Sequence, residues 1–529
     1  MKSIKRYFKV NREDISYLTF ILESYSGLAV VRTIDSREAI IEILIAPQNG
    51  DLFEDLMLNL KHKEKLKLLP GTIDNTKANG NNSVGNREVN RSFHISTMGC
   101  QMNEYNSDYL SQTLIHFGYK PVQQPDQADL ILINSCTVRA KAEQKAYSLL
   151  GRMIKLKRKR PHLKIGLMGC LAQQEGADLF TRFPELDLAL GTREICDIQP
   201  ILVKLESNLK PILANNLDLP PTSSFLECNG YFKGKLKAFI TIMEGCNNFC
   251  SYCIVPFVRG RETSRAPEDI LKEAVNLVDQ GIKEITLLGQ NVNSYFHQER
   301  QTGFPSLLKS LNKIKGLKRI RFTTSHPKDL SNDLIRCFGE LDLLCPHIHL
   351  PFQAGSDRIL KSMNRGYTRK DYLELISSLR DIRPNIAITS DVMVGFPGES
   401  QRDFEYTLDL IKKIEFDNLY SFKYSDRKGT AAAKLPQKID EKEKTERLAL
   451  LQQIQKSITL KKNRNLEGRQ VVILIDGKSR KGGQWTGRTG TNKVANINSE
   501  NNILGKLVHV KINRGFMNSL QGDFIGIHG

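Results

Sequence analysis

The 529-residue sequence predicts a multidomain α/β protein: an open α/β domain, a partial (β/α)6 barrel and a small C-terminal all-β barrel, preceded by a small α+β extension. Three observations carry this expectation. Between 238 and 425 a strand pattern followed by a helical pattern repeats six times. From Phe93, "FHISTM", "DLILINS" and "KIGLMG" are short continuous apolar runs, as strands buried on both faces require, separated by helical stretches near 103–117 and 140–159. After 465, short runs alternate apolar and polar residues between glycine turns.

Taken in order, residues 1–70 read as a β-α-β-β-α unit whose role the sequence does not indicate, with strands in "RYFKV", "LAVVRTI" and "AIIEILIA". Residues 71–91 are Gly-, Asn-, Ser- and Thr-rich and read as a flexible linker. The open sheet occupies 92–207, with a further strand at "LDLALG"; around 205–235 Pro211, Pro220 and Pro221 mark an irregular connector. The partial barrel spans 232–463. Its strands lie in "AFITIM", "EITLL", "RIRFT", "HIHL", "IAITSDVMV" and "NLYSF", and a charged helix over 440–465 trails it. Pro267 stands at a helix N1 position and Gly281 at a C′ position. Residues 464–527 supply five short strands.

A balance of 77 Lys+Arg against 58 Asp+Glu, formally +19, points to a polyanionic partner, nucleic acid rather than membrane. No run approaches the apolar length of a membrane helix. Charged residues at 12–14 break the only N-terminal apolar stretch, so no signal peptide is read and a cytoplasmic protein is expected. There, ten cysteines are ligands, reactive thiols or core residues rather than bridges.

Six of the ten are placed for metal. "MEGCNNFCSYCIV" sets Cys246, Cys250 and Cys253 on the loop after the first barrel strand, the rim where chemistry collects in such folds. Soft thiolates suit iron or zinc. A structural zinc would need a fourth protein ligand, and His297, His326 and Cys337 downstream show no paired spacing. Cys100, Cys136 and Cys170 each end a predicted parallel strand, so the sheet edge should gather them although 35 and 33 residues separate them. Cys196, Cys228, Cys337 and Cys345 have no ligand spacing and read as small hydrophobes. No GxxxxGK[ST] run is present.

The x3-x2 cysteine triplet after the first strand of a six-fold β/α barrel resembles the radical S-adenosylmethionine superfamily. "MEGCNNFCSYCIVPFVRGRETSR" is similar to the methylthiotransferases, and "GCQMNEYNSD" to their tRNA-2-methylthio-N(6)-dimethylallyladenosine synthase branch, over residues 93–527. The resemblance implies two [4Fe–4S] clusters: a radical S-adenosylmethionine cluster on Cys246, Cys250 and Cys253, its fourth iron free for S-adenosylmethionine, and an auxiliary one on Cys100, Cys136 and Cys170. It implies methylthio transfer to C2 of N(6)-(dimethylallyl)adenosine at tRNA position 37, beside the anticodon. It implies also an electron donor such as flavodoxin or ferredoxin, and a monomer. Gly289, Gln290, Asn291, Gln353, Asp391 and Gly395 stand at strand ends where S-adenosylmethionine is contacted in the superfamily; Gly398 and Glu399 follow in the same glycine-rich segment, and His326, His349 and Ser356 lie on neighbouring rims. Phe352 and Ala354 replace residues usual in the family. The terminal barrel, with Lys478, Arg480, Lys481, Arg488 and Lys493, resembles the RNA-binding TRAM module; its Trp485 reads as a structural anchor. "KLKRKR" (155–160) suits either RNA phosphates or a solvated helix end. The alternatives are a related methylthiotransferase acting on threonylcarbamoyladenosine tRNA or a ribosomal-protein aspartate, and a zinc-stabilised RNA-binding protein without catalysis.

Overall fold

The computed structural model describes residues 4–9, 22, 29–35, 40–45, 69–70, 91–137, 140–207, 210–218, 232, 234–479 and 482–528. The chain forms two compact units, Met1–Arg87 and Glu88–Gly529.

In the first unit, β1 (Ile4–Lys9), β2 (Ala29–Asp35), β3 (Ile40–Ile45) and β4 (Leu69–Pro70) pair antiparallel in the order β2-β3-β1-β4. Ile41, Ile43 and Ile45 are buried, and so is Glu42 between them. The three strands read from sequence are present and β4 is an addition. Of the helices of that reading only Leu22 is described, helical and fully buried, and the linker up to Asn90 lies outside the described residues.

The second unit opens with a wholly parallel sheet of β5 (Ser92–Thr97), β6 (Lys120–Pro121), β7 (Leu130–Ser135), β8 (Lys164–Gly169), β9 (Leu188–Leu190) and β10 (Ile212–Ala214), in the order β10-β9-β8-β7-β5-β6. The whole of β7 is buried, which is why "LILINS" shows no alternation. β6 and β10, on the two edges, are too short to leave a period in the sequence, and β10 sits where the sequence suggests only connector. Thr97 pairs with Asn134 and Ser135 with Gly169, so β5, β7 and β8 end level.

β11 (Lys237–Thr241) opens the second sheet system, and the antiparallel pair β12 (Met243–Glu244) and β13 (Thr263–Ser264) frames the loop after it. β14 (Glu284–Leu288) follows, then a small pair β15 (Phe296–His297) and β16 (Thr302–Gly303). β17 (Arg319–Phe322), β18 (His347–His349), β19 (Ala387–Val394) and β20 (Asn418–Lys423) complete it. The six main strands run as two parallel triplets, β11-β14-β17 and β18-β19-β20, joined by a parallel bridge between Ile320 and Leu344. Among the described residues β20 does not pair with β11. The barrel is open, as expected. Pro267 begins the helix Pro267–Asp279 and Gly281, at φ +103°, follows its end. The core stacks Phe352 on Phe416, ring centroids 5.2 Å apart, beside Tyr372.

After the helix Glu441–Arg464, β21 (Gln470–Lys478), β22 (Trp485–Thr489), β23 (Val494–Asn498), β24 (Leu507–Gly515) and β25 (Leu520–Ile527) close into a barrel in the order β21-β22-β23-β25-β24. Trp485 is buried in its core with Lys478 Nζ 3.4 Å from the ring centroid, so it serves the barrel. This small barrel docks on the N-terminal ends of the (β/α)6 strands. Arg319 donates to the carbonyls of Arg488 (2.6 Å) and Val472 (3.1 Å), and Arg321 to those of Gly490 (2.9 Å) and Thr489 (2.7 Å). Lys237 pairs with Asp476, and Lys493 with Asp417 at 3.0 Å. Among the described residues, no helix is long and apolar enough to cross a membrane.

Candidate cluster and cofactor site

Each N-terminal cysteine follows its strand directly. Cys100 caps the helix Gln101–His116 after β5, Cys136 follows β7, and Cys170 begins the helix Cys170–Glu175 after β8. β8, β7 and β5 are neighbours that end level, so the sheet brings three distant thiols to one edge. Two glycines permit the approach. A Cβ on Gly99 (φ +138°) would stand 2.5 Å from Cys136 Cβ, and one on Gly169 (φ +88°) 2.7 Å from the Ser135 carbonyl and 2.8 Å from Asn134 Oδ1. Beneath them lies a buried amide network: Asn103 Nδ2 donates to Asn134 Oδ1 (2.8 Å), and Asn134 Nδ2 to the Asn103 carbonyl (2.9 Å) and Ser107 Oγ (3.0 Å). The Cys100 thiol donates to Asn103 Oδ1 at 3.2 Å.

Cys100 is reached by solvent, whereas Cys136 and Cys170 are buried. A hydrogen bond from Cys136, the Arg259 charge and the N–H groups of Asn103 and Met102 bring the Cys100 thiol down to about 5. Burial pushes the Cys170 thiol up. Gly99→Ala is expected to lose the iron of one cluster, half the total, and to destabilise the chain by about 1–3 kcal/mol through the strained backbone. Iron analysis and thermal melting check both.

The barrel cysteines occupy the loop between β12 and β13. Gly245 (φ +80°) packs against the Arg261 carbonyl with no room for a Cβ, and Cys246 N donates to the Gly260 carbonyl at 3.2 Å. Burial raises the Cys246 thiol and, with the Cys250 thiol nearby, raises Cys253 to about 12. Arg365 Nη1 donates to Cys250 Sγ at 3.4 Å, while its Nη2 holds the Pro351 carbonyl at 2.7 Å. Phe249, just before Cys250, is exposed at φ +44°, a conformation bulky residues rarely take. Among the described residues, no three His, Cys, Asp or Glu side chains close on a single metal ion as they stand.

The two loops touch. Cys170 packs with Ile254 and Val258, the latter in the helix Val255–Arg259 that follows Cys253. Thr192 Oγ1 donates to the Val258 carbonyl (2.7 Å), and Arg193 Nη2 to the carbonyls of Arg259 (3.2 Å) and Arg261 (3.0 Å).

Residues 240–411 match the Radical SAM superfamily, 92–191 the Uncharacterized protein family UPF0004, 464–525 the TRAM domain and 8–63 a Domain of unknown function (DUF4911). A tRNA-2-methylthio-N(6)-dimethylallyladenosine synthase of Syntrophus aciditrophicus (strain SB) is 50% identical over 82% of this chain and 94% of its own length. One of Syntrophobacter fumaroxidans (strain DSM 10017 / MPOB) is 48% identical over 83% and 97%. The chain belongs to the tRNA-2-methylthio-N(6)-dimethylallyladenosine synthase family. Among solved structures, the radical S-adenosylmethionine methyltransferase TsrM from Kitasatospora setae is similar at TM-score 0.49 and 14% identity, over 65% of this chain and 77% of that one.

The remaining rim residues of this synthase-family chain divide by partner. Gln290 Oε1 accepts from Gly245 N at 2.6 Å and so braces the cysteine loop. Gly289 lies against Met243, its notional Cβ 2.5 Å from Met243 Cγ. Asn291 is buried and donates to Asp329 at 2.7 Å. Gln353, at φ +66°, donates its N–H to the Asp391 carbonyl at 2.9 Å, and Asp391 Oδ1 lies 3.5 Å from His349 Nε2. Gly395 lies under Lys444, and its N–H donates to Glu399 at 2.6 Å; Glu399 in turn pairs with Arg447 at 2.7 Å. Glu399 therefore orients its neighbours. Ser356 donates to Asp403 at 2.5 Å, and burial keeps His326 neutral, its pKa down to about 2. In "KLKRKR", Lys157 pairs with Asp187, Arg158 with Glu185 and Arg160 with Asp129, so three of its five cations serve the domain itself.

Sequence reasoning missed Arg259, Arg365, Asn103, Asn134 and Arg447. Arg259 and the two asparagines stand within the cysteine motifs and offered that signal; Arg365 and Arg447 offered none.

Proposed function

We propose that this chain transfers a methylthio group to C2 of N(6)-dimethylallyladenosine at tRNA position 37. Two three-cysteine sets, meeting through touching loops in one compact unit of a synthase-family chain, carry this reading. The residues fit iron–sulfur clusters: three thiols from level strand ends and three on one loop are soft donors, and each set has a buried guanidinium, Arg259 or Arg365, to compensate an anion. When bound, a [4Fe–4S] cluster on Cys246, Cys250 and Cys253 supplies the electron that cleaves S-adenosylmethionine to a 5′-deoxyadenosyl radical, and one on Cys100, Cys136 and Cys170 supplies the methylthio sulfur.

The chain's own residues do the rest. Gln290 fixes the Gly245 turn, Arg365 holds Cys250, and Gly289 and Gly395 let Met243 and Lys444 pack against the rim backbone. Gly289, Gln290, Asn291, Gln353, Asp391 and Gly395 are its S-adenosylmethionine contacts. A basic chain with a TRAM domain holds the tRNA by its phosphates. The working division is 92–207 for the auxiliary cluster, 232–463 for radical formation and 464–527 for RNA. The protein acts in the cytoplasm as a monomer, reduced by a flavodoxin or ferredoxin.

Mass spectrometry of tRNA nucleosides tests this in a strain lacking the gene. Wild-type protein should restore the thiomethylated nucleoside. Cys136→Ala should leave dimethylallyladenosine unthiolated while 5′-deoxyadenosine still forms. Thiomethylation by that variant would remove the auxiliary site from the reaction.

A further inference from the structure

Arg259 stands between the two cysteine sets. It ends the helix Val255–Arg259, six residues beyond Cys253, and is only 3% exposed. Its guanidinium faces the other set: its strongest electrostatic partners are Cys170, Glu244 and Cys100, and the Cys170 thiol is within hydrogen-bonding reach. Glu244 Oε1 lies 3.6 Å away, too far for a hydrogen bond, and the Cys170 thiol is close but poorly aligned, so the guanidinium lacks well-aligned acceptors for its Nη atoms. A buried cation left so under-satisfied is costly unless something further accepts from it. The backbone around it is fixed by Thr192 and Arg193, so the side chain is not held there by loose packing.

We propose that Arg259 is a positioning residue for the N-terminal cluster, donating to the anionic group held by Cys100, Cys136 and Cys170 and tying its redox poise to the loop that carries Cys246, Cys250 and Cys253. This rests on the ligand reading above. A fixed positive charge against the cluster favours the more negative, reduced state and raises the midpoint potential. Because Arg259 belongs to the barrel loop, any movement of that loop changes the charge felt by the auxiliary cluster.

The test uses the full chain, purified anaerobically, with Cys246, Cys250 and Cys253 all changed to Ala so that one cluster remains. Iron content and the midpoint potential from an electron-paramagnetic-resonance titration are compared for Arg259, Arg259→Lys and Arg259→Gln. The expected result is a shift to more negative potential, or loss of iron, with Gln and retention of both with Lys. Equal potentials for Arg and Gln, or equal changes with Lys and Gln, overturn the proposal and leave Arg259 a packing residue. Absence of iron with Arg259 intact would instead refute the ligand reading, and the proposal with it.

Discussion

Changing Cys250 to Ala is expected to abolish dithionite-dependent formation of 5′-deoxyadenosine while the iron at Cys100, Cys136 and Cys170 stays bound. Cys250 is the buried member of its triplet and the one that a guanidinium grips, at 3.4 Å from Arg365 Nη1. Alanine removes a ligand and at the same time leaves the buried Arg365 guanidinium without the sulfur it donates to, so neither water nor a neighbouring thiol readily takes its place. The auxiliary set hangs on a different sheet, held by Asn103 and Asn134, and does not depend on that thiol. Iron analysis with a cleavage assay reads both halves of the prediction. Intact cleavage would remove Cys250 from the ligand set.

Arg447→Leu is expected to cost about 3–5 kcal/mol, because it strands the Glu399 carboxylate in the core. Glu399 accepts from Arg447 Nη1 at 2.7 Å and from Gly395 N at 2.6 Å, and Arg447 is only 5% exposed. The substitution should therefore also loosen Gly395 and weaken S-adenosylmethionine binding. The loss depends on pH in a defined direction. Burial raises the Glu399 pKa even with Arg447 present, and removing the cation raises it further. A carboxyl whose folded pKa lies above its unfolded value keeps its full stability at acidic pH and loses it as pH rises through the folded value. The variant should thus be least impaired in acid and most impaired at neutral pH, with Glu399→Gln relieving much of the penalty. A denaturation midpoint that is unchanged at neutral pH, or a penalty that grows in acid, would show that the pair is not buried in this sense.

The parts of the fold legible in the sequence are those whose physics is local or periodic. β7 and β8 are buried along nearly their full length and appear as unbroken apolar runs; β22 to β25 alternate because one face of each lines a barrel. Once the strands are placed, strand order does the rest, since cysteines at the ends of β5, β7 and β8 have to share an edge. What was not legible depends on contacts between distant segments. Arg365 lies 112 residues from Cys253, and nothing near it marks it as a partner of Cys250. "KLKRKR" looks like an RNA grip until Asp129, Glu185 and Asp187 are seen against it. β6 and β10, two and three residues long, are strands only because a neighbour offers them an edge.

The small barrel's place beneath the (β/α)6 strands has a consequence for what the protein measures. It grips the strands at Lys237, Arg319 and Arg321, at their N-terminal ends, whereas the cysteines stand past their C-terminal ends. The strands themselves therefore separate these two footholds. With Arg321 and Lys237 locked into the joint, that span is a fixed gauge rather than a swinging arm. An RNA that met both footholds would have to match that span as well as offer its base at the rim. On the proposed reading, a hairpin cut short of the far foothold should bind more weakly and with a shallower salt dependence than full-length tRNA, which binding at several salt concentrations checks.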